Sequence, residues 1–338
     1  MGFERATVRS DCEFTDLKGQ PALITWESGW GEIPASVEVR DIPAIAVNDE
    51  FVFLFVRGAD CIVRLTHDGA YVDLIGEGNF VRPHGISINA DGNLVCVDDE
   101  GNQVVVLSST GEVLRRISGP NRSAETGYVP GFPHTVLKGV DPFCYPTHAH
   151  EENGQMLVSD GYGNSRLHRF DDQDRLVKSW GEPGDLPGQF VIPHGLLALK
   201  SDGRYAVCDR ENERIQWFDS DDRFMYQWGG FNCPNNIAQL PNGDFAVTEL
   251  GRRFRHTHEG AVLEPEGLAP RLTIRDSTGA LLDEGAPLVA GEVDVFFSPH
   301  GLAVDSKGTI YVGEVRTAFP EGLAPSGGNL LHRVSLGT

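Results

Sequence analysis

Apolar and polar positions alternate along most of the chain in short runs, and the runs are broken by Asp-Gly, Asn-Gly or Lys-Gly. A period of two bounded by such turns predicts antiparallel strands joined by tight hairpins. From Ile42 onward this pattern repeats. IPAIAVNDEFVFLFVRGADCIVRLTHDG begins at Ile42, RPHGISINADGNLVCVDDEGNQVVVLSSTG at Arg82 and YPTHAHEENGQMLVSDGYGNSRLHRFDDQ at Tyr145. The fourth copy starts at Ile192, CPNNIAQLPNGDFAVTELGRRFR at Cys233 and SPHGLAVDSKGTIYVGEV at Ser298. Six copies of four short strands predict an all-β fold, a six-bladed β-propeller in which each blade buries its faces against its neighbours. A β-sandwich with accidental self-similarity is the alternative, but a sandwich needs no such period.

Three stretches fall outside the repeat. Residues 1–40 contain WESGWGEIP and little periodicity, and are expected to lend an outer strand that closes the ring with the last blade. Residues 119–142 and 251–296 are too long for blade turns and read as insert loops over the central mouth, in a single domain spanning 1–338.

The 338 residues include 40 Gly, as turns at short intervals require. A net charge of −21 repels phosphate backbones and anionic lipid, which argues against nucleic-acid or membrane-surface partners and mainly suggests solubility. No run approaches the roughly 18 apolar residues of a membrane span. The six cysteines are scattered without CxxC spacing, several inside apolar strands, so a reducing cytoplasm is expected.

The residue after the Pro that opens each copy carries the chemistry. It is Ala44, His84, Thr147, His194, Asn235 and His300. Histidine falls in alternate copies, and alternate blades of a six-bladed ring stand about 120° apart. Three imidazoles at one level would converge on the axis as a facial metal site with open positions, as in catalytic zinc centres; iron(II), manganese or cobalt accept the same ligands. A lone His at a strand start is more often a hydrogen-bonded structural residue, and only the shared register argues otherwise. The other eight, including His148, His150, His256 and His258, share no register and read as surface or supporting residues. Asp98, Asp160 and Asp209 end second strands and read as turn hydrogen-bonders.

Three polar residues lie at or just past second-strand ends beside the same mouth: Arg57 in FVRG, Tyr162 in SDGYGNSR and Arg210 in CDREN. A Tyr beside a dication and arginines suits a general base, and either Arg suits a substrate carboxylate. Taken singly, each is as readily an inter-blade ion pair or a packed ring.

Over roughly residues 40–318 the sequence resembles the NHL-repeat propellers of the peptidyl-α-hydroxyglycine α-amidating lyase family, most strongly in LVSDGYGNSRLHRF, SWGEPGDLPGQFVIPHGL and CDRENERIQWF. The resemblance implies that His84, His194 and His300 hold zinc, that Tyr162 is the catalytic base, and that Arg57 and Arg210 line the substrate site. It implies cleavage of an N–C–OH carbinolamide to an amide and glyoxylate. Two features depart from the family pattern. Gly301 stands where the animal enzymes have an Asp that looks like a calcium ligand, which argues against calcium there, and Gly163, Ala206 and Trp217 stand where secreted members have disulfide cysteines. With no hydroxylating domain in the sequence, the expected substrate is a small carbinolamide or ureidoglycolate-like acid. A hydrolase or hydratase using the same metal, or a non-catalytic NHL binding module, are the alternative readings.

Overall fold

The computed structural model describes residues 9–15, 21–120, 122–130, 132, 135–257, 260–285, 297–317 and 329–336, with side chains for all of these except 9–24 and 252–266. Strands β1 (Arg9–Thr15) and β2 (Pro21–Ser28) come first. Blade one follows as β3 (Val39–Val47), β4 (Phe51–Gly58), β5 (Cys61–Thr66) and β6 (Tyr71–Ile75). Blade two is β7 (Pro83–Ile88), β8 (Leu94–Asp98), β9 (Gln103–Leu107) and β10 (Val113–Ser118). Blade three is β11 (His148–Glu152), β12 (Gln155–Asp160), β13 (Arg166–Phe170) and β14 (Leu176–Trp180). Blade four is β15 (Pro193–Ala198), β16 (Tyr205–Asp209), β17 (Arg214–Phe218) and β18 (Phe224–Trp228). Blade five uses β19 (Pro234–Gln239) and β20 (Phe245–Glu249), then a separate hairpin of β21 (Arg252–Thr257) and β22 (Gly260–Leu268), then β23 (Arg271–Arg275) and β24 (Leu281–Gly285). Blade six is β25 (Pro299–Val304), β26 (Ile310–Glu314) and β27 (Leu331–Leu336), and its outer strands are β2 and β1 from the other end of the chain.

The stretch 251–296 therefore differs from the single insert loop expected. Residues 271–285 span the third and fourth strands of blade five, and among the described residues of the stretch the β21–β22 hairpin is the extra part. The 119–142 stretch carries one short helix, α1 (Ser123–Thr126). His134 and His258 lie outside the described residues.

Two recurring devices make the blades. One is a turn in which a side-chain oxygen accepts the N–H groups two and four residues on: Asn89, Asp171, Asp219, Asp276 and Asp305 all do this. Asn and Asp are chosen at such turns because a short side chain can mimic the missing backbone acceptor. The other is burial between blades. Six apolar clusters occupy the six junctions, and the one built from Ile42, Leu54 and Val63 against Ala303, Tyr311 and Leu331 joins the first blade to the last. Each buried Leu, Ile or Val stabilises by about 1.5–3 kcal/mol, so the closing junction is held as the others are. Among the described residues no helix is long and apolar enough to cross a membrane.

A buried carboxylate ends the second strand in five blades. Asp98, Asp160, Asp209, Glu249 and Glu314 are 0% exposed, and each accepts the backbone N–H of the segment entering its own blade. The turn role expected of the three Asp is met by other bonds, from Gly101 N–H to Asp98, Asn164 Nδ2 to Asp160 and Asn212 Nδ2 to Asp209. The carboxylate fixes the angle at which each inner strand starts, and the mouth residues sit at those starts. Blade one breaks the rule, with Val56 at the carboxylate's register and Arg57 one residue later.

Asp209 also bonds Asn212, Arg214 and Gln216. Replacing it with Ala strands the buried Arg214 charge, and Asp209→Ala is expected to cost about 3–5 kcal/mol in urea unfolding. An unchanged midpoint would show that these carboxylates do not organise the blades.

Candidate metal centre

His84, His194 and His300 are the second residues of β7, β15 and β25, and are 2%, 3% and 5% exposed. Each donates its Nδ1 proton to a backbone carbonyl of the next blade round the ring: His84 to Thr147 (2.7 Å), His194 to Asn235 (2.9 Å) and His300 to Pro43 (2.7 Å). That bond fixes the tautomer and leaves an Nε2 lone pair on every ring. The ligand atoms of the three lie within 4.8 Å of one another, and the ring centroids are 4.6–5.0 Å apart. The set can hold one metal ion, with positions left over for another ligand.

The Pro-His-Gly pattern has a steric reason. A Cβ on Gly85 would meet the Thr147 carbonyl oxygen at 2.5 Å, and one on Gly195 would meet that of Asn235 at 2.5 Å. These are the oxygens that the preceding histidines bond, and only Gly lets the next blade come that close. The intervening blades answer in kind. Thr147 Oγ1 donates to the Pro193 carbonyl (2.8 Å) and Asn235 Nδ2 to that of Pro299 (3.0 Å). Ala44 has no donor, and Arg57 Nε serves Pro83 instead (2.9 Å).

The remaining sequence-derived residues meet at this point. Tyr162, in the turn after β12, places its hydroxyl 2.8 Å from His84 Nε2 and 3.3 Å from His194 Nε2. With Nδ1 already committed as donor, His84 Nε2 accepts, so the phenol donates. The Arg210 guanidinium stands over the Tyr162 ring, 5.5 Å from its centroid, and bonds Glu211 (3.0 Å). Arg57 is 5% exposed, pairs with Asp41 (3.2 Å) and keeps Nη2 buried without a partner. An unsatisfied buried donor costs about 1–3 kcal/mol, and such a group in a site is a handle for a ligand acceptor.

The imidazoles are held neutral. Burial lowers His84 well below its ordinary value, helped by His194, His300, Arg57 and Arg82. Burial, His300 and Arg210 do the same to His194. His300 is pushed down to about 3 by burial and Arg57. Neutral imidazole is the form that binds a cation.

Sequence reasoning missed Arg82 and Asp99. Arg82 forms an ion pair with Asp99, a fully buried carboxyl that burial pushes up to about 6. Asp99 stands at the register of Arg210, in VDDE against CDRE, and that alignment was the available signal. His148 is buried, and burial lowers both it and His150 to about 4. His256 lies in β21, where side chains are not described.

No protein-family model matches the chain. Among curated proteins, a Caenorhabditis elegans protein named "Probable peptidyl-alpha-hydroxyglycine alpha-amidating lyase" is 30% identical over 280 residues, covering 79% of this chain and 72% of that protein. The mouse "Peptidyl-glycine alpha-amidating monooxygenase" is 30% identical over 252 residues, 72% of this chain. The matched part is only 23% of that longer protein. Among solved structures, one described as "Streptogramin B lyase structure" superposes with a TM-score of 0.57 at 12% identity, covering 93% of this chain and 98% of the other, which shows the shared propeller fold.

In metal-free protein the His300 imidazole is expected to stay neutral from its ordinary 6.5 down to about pH 3. The unfolded chain takes up that proton first, so stability falls as pH drops below 6.5 and keeps falling to the folded value. Imidazole nitrogen NMR between pH 7 and 4 checks this, and a His300 midpoint near 6.5 would contradict the buried, carbonyl-bonded ring.

Proposed function

Since the chain belongs to the peptidyl-alpha-hydroxyglycine alpha-amidating lyase family of NHL-repeat propellers, we propose that it is a metal-dependent lyase cleaving the C–N bond of a small α-hydroxy amide. The observation that carries this reading is the convergence of three neutral imidazoles from alternate blades, with Tyr162 hydrogen-bonded to two of them.

His84, His194 and His300 are the proposed ligands, and zinc suits an all-imidazole set. Bound there, the ion supplies Lewis acidity that lowers the pKa of a neighbouring hydroxyl. Arg57 takes the substrate carboxylate through its spare Nη2, which fixes the carbinol carbon beneath Tyr162. Tyr162, acting as the phenolate once its own proton has left to solvent, receives the hydroxyl proton at Oη. As that O–H bond breaks, the oxygen forms a C=O bond, the C–N pair moves to nitrogen and Tyr162 gives the proton it took to that nitrogen, completing the amide. Glyoxylate is the second product, and no solvent oxygen enters. Arg210 holds the Tyr162 ring in place from above. Burial of the histidines keeps bulk water from competing for the carbinol carbon.

The five cysteines with described side chains, Cys61, Cys96, Cys144, Cys208 and Cys233, are free buried thiols, which supports a reducing, cytoplasmic setting for this activity.

His194→Ala is expected to lose the bound metal, read by elemental analysis; full occupancy would overturn the ligand assignment. Tyr162→Phe is expected to keep the metal and lose on the order of 10²–10⁴ in kcat for glyoxylate release from a small N-acyl-α-hydroxyglycine. Reaction in ¹⁸O-labelled water is expected to leave both products unlabelled at the earliest times, and label entering with the first turnover would make the enzyme a hydrolase.

A further inference from the structure

Asn235 has more hydrogen-bonding capacity than its place in the ring uses. It opens blade five at the register of the histidines, is 0% exposed, and gives its backbone carbonyl to His194. Its Nδ2 bonds the carbonyl of Pro299, the residue before His300. Its Oδ1 has no partner. Blade three does the same structural job with Thr147, whose hydroxyl bonds the equivalent carbonyl, that of Pro193. An Asn where a Thr suffices leaves a surplus acceptor at the level of the imidazoles, between His194 and His300.

A matching surplus lies on the other side of His300. The buried Nη2 of Arg57 is a donor with nothing to bond, and its charge is the first of the neighbouring charges that depress His300. Ser298, one residue before Pro299, is 1% exposed and also has an unpartnered hydroxyl. Three buried polar groups on blades one, five and six are thus left open near the register of His300, although most buried polar groups in folded proteins are paired. A ligand satisfies them if it offers an acceptor to Arg57 and a donor to Asn235.

We propose that Asn235 is a specificity-determining residue whose Oδ1 accepts a hydrogen bond from the substrate's leaving nitrogen, while the carboxylate of the same molecule bonds Arg57. This rests on the lyase reading and narrows it. The substrates are α-hydroxy acids whose nitrogen keeps a hydrogen, such as primary or secondary carbinolamides and ureido acids, and N,N-disubstituted analogues are rejected. A site built to receive an N–H leaves its acceptor unpaired against a ligand lacking one, and discriminates accordingly.

The test compares oxamate with pyruvate by calorimetry on the zinc-loaded full chain. The two share a carboxylate and a carbonyl and differ in an amide NH₂ against a methyl. Oxamate is expected to bind at least about tenfold more tightly. In Asn235→Thr, which keeps a donor for the Pro299 carbonyl as Thr147 does for Pro193, that ratio is expected to fall to about one. Metal content, melting temperature and pyruvate affinity are expected to be retained. Equal affinities in the wild type, or an unchanged ratio in the variant, overturn the role of Asn235 and leave the lyase reading standing. Failure of both probes to bind the zinc-loaded chain overturns both. If the variant does not fold, the wild-type ratio still decides, with a crystal structure of the oxamate complex as the second measurement. An Oδ1 bonded there to water instead of the amide overturns the assignment.

Discussion

The hydrogen bond from each site histidine to a carbonyl of the next blade is the interaction on which the rest depends. It joins blades two to three, four to five and six to one, so the site and the ring are braced by the same three bonds. The bond needs close approach of neighbouring inner strands, and Gly85 and Gly195 provide it. It also sets the chemistry, because an Nδ1 donor leaves Nε2 as the free lone pair. The spacing of the three Nε2 atoms and the inter-blade geometry are therefore coupled, and a change that spreads two blades would also pull an imidazole out of place.

Against that threefold frame, departures from the repeat mark the polar mouth. A carboxylate closes the second strand in five blades, and in blade one Val56 stands there with Arg57 just after it. The loss is made good by Asp41, which accepts from Arg316 and Thr317 of blade six as well as from Arg57. Burial raises the Asp41 carboxyl, but these bonds outweigh it and hold it below the usual range. A buried cation is tolerated only with such a partner, since an unpaired one is costly. Asp99 does the same for Arg82, and Glu211 for Arg210. The mouth thus gathers three guanidinium groups around neutral imidazoles while each charge keeps a local counter-ion.

The legible parts of the sequence were those that the repeat amplifies. The alternation of His84, Thr147, His194, Asn235, His300 and Ala44 predicted a convergence that the coordinates contain. Arg57, Tyr162 and Arg210 stood out for breaking the strand-end pattern, and all three lie at the mouth. The third and fourth strands of blade five were misread as loop. The β21–β22 hairpin interrupts the blade after its second strand, and a break of that length hides the period. Arg82 and Asp99 escaped notice because each looks like an ordinary surface charge beside a turn; only the full burial of Asp99 against Arg82 distinguishes them.

What the chain determined by itself was local and periodic: strand alternation, Asx-type turns, and the register at which each copy places one residue after its opening Pro. Those follow from the pleat and from turn geometry, which act over a few residues. Tertiary structure alone decided which copies touch and what each spare polar atom faces. The bond from His300 to Pro43 joins residues 257 positions apart, and it exists because six apolar junctions close a ring. Non-local packing set that distance, and no local pattern of residues encodes it.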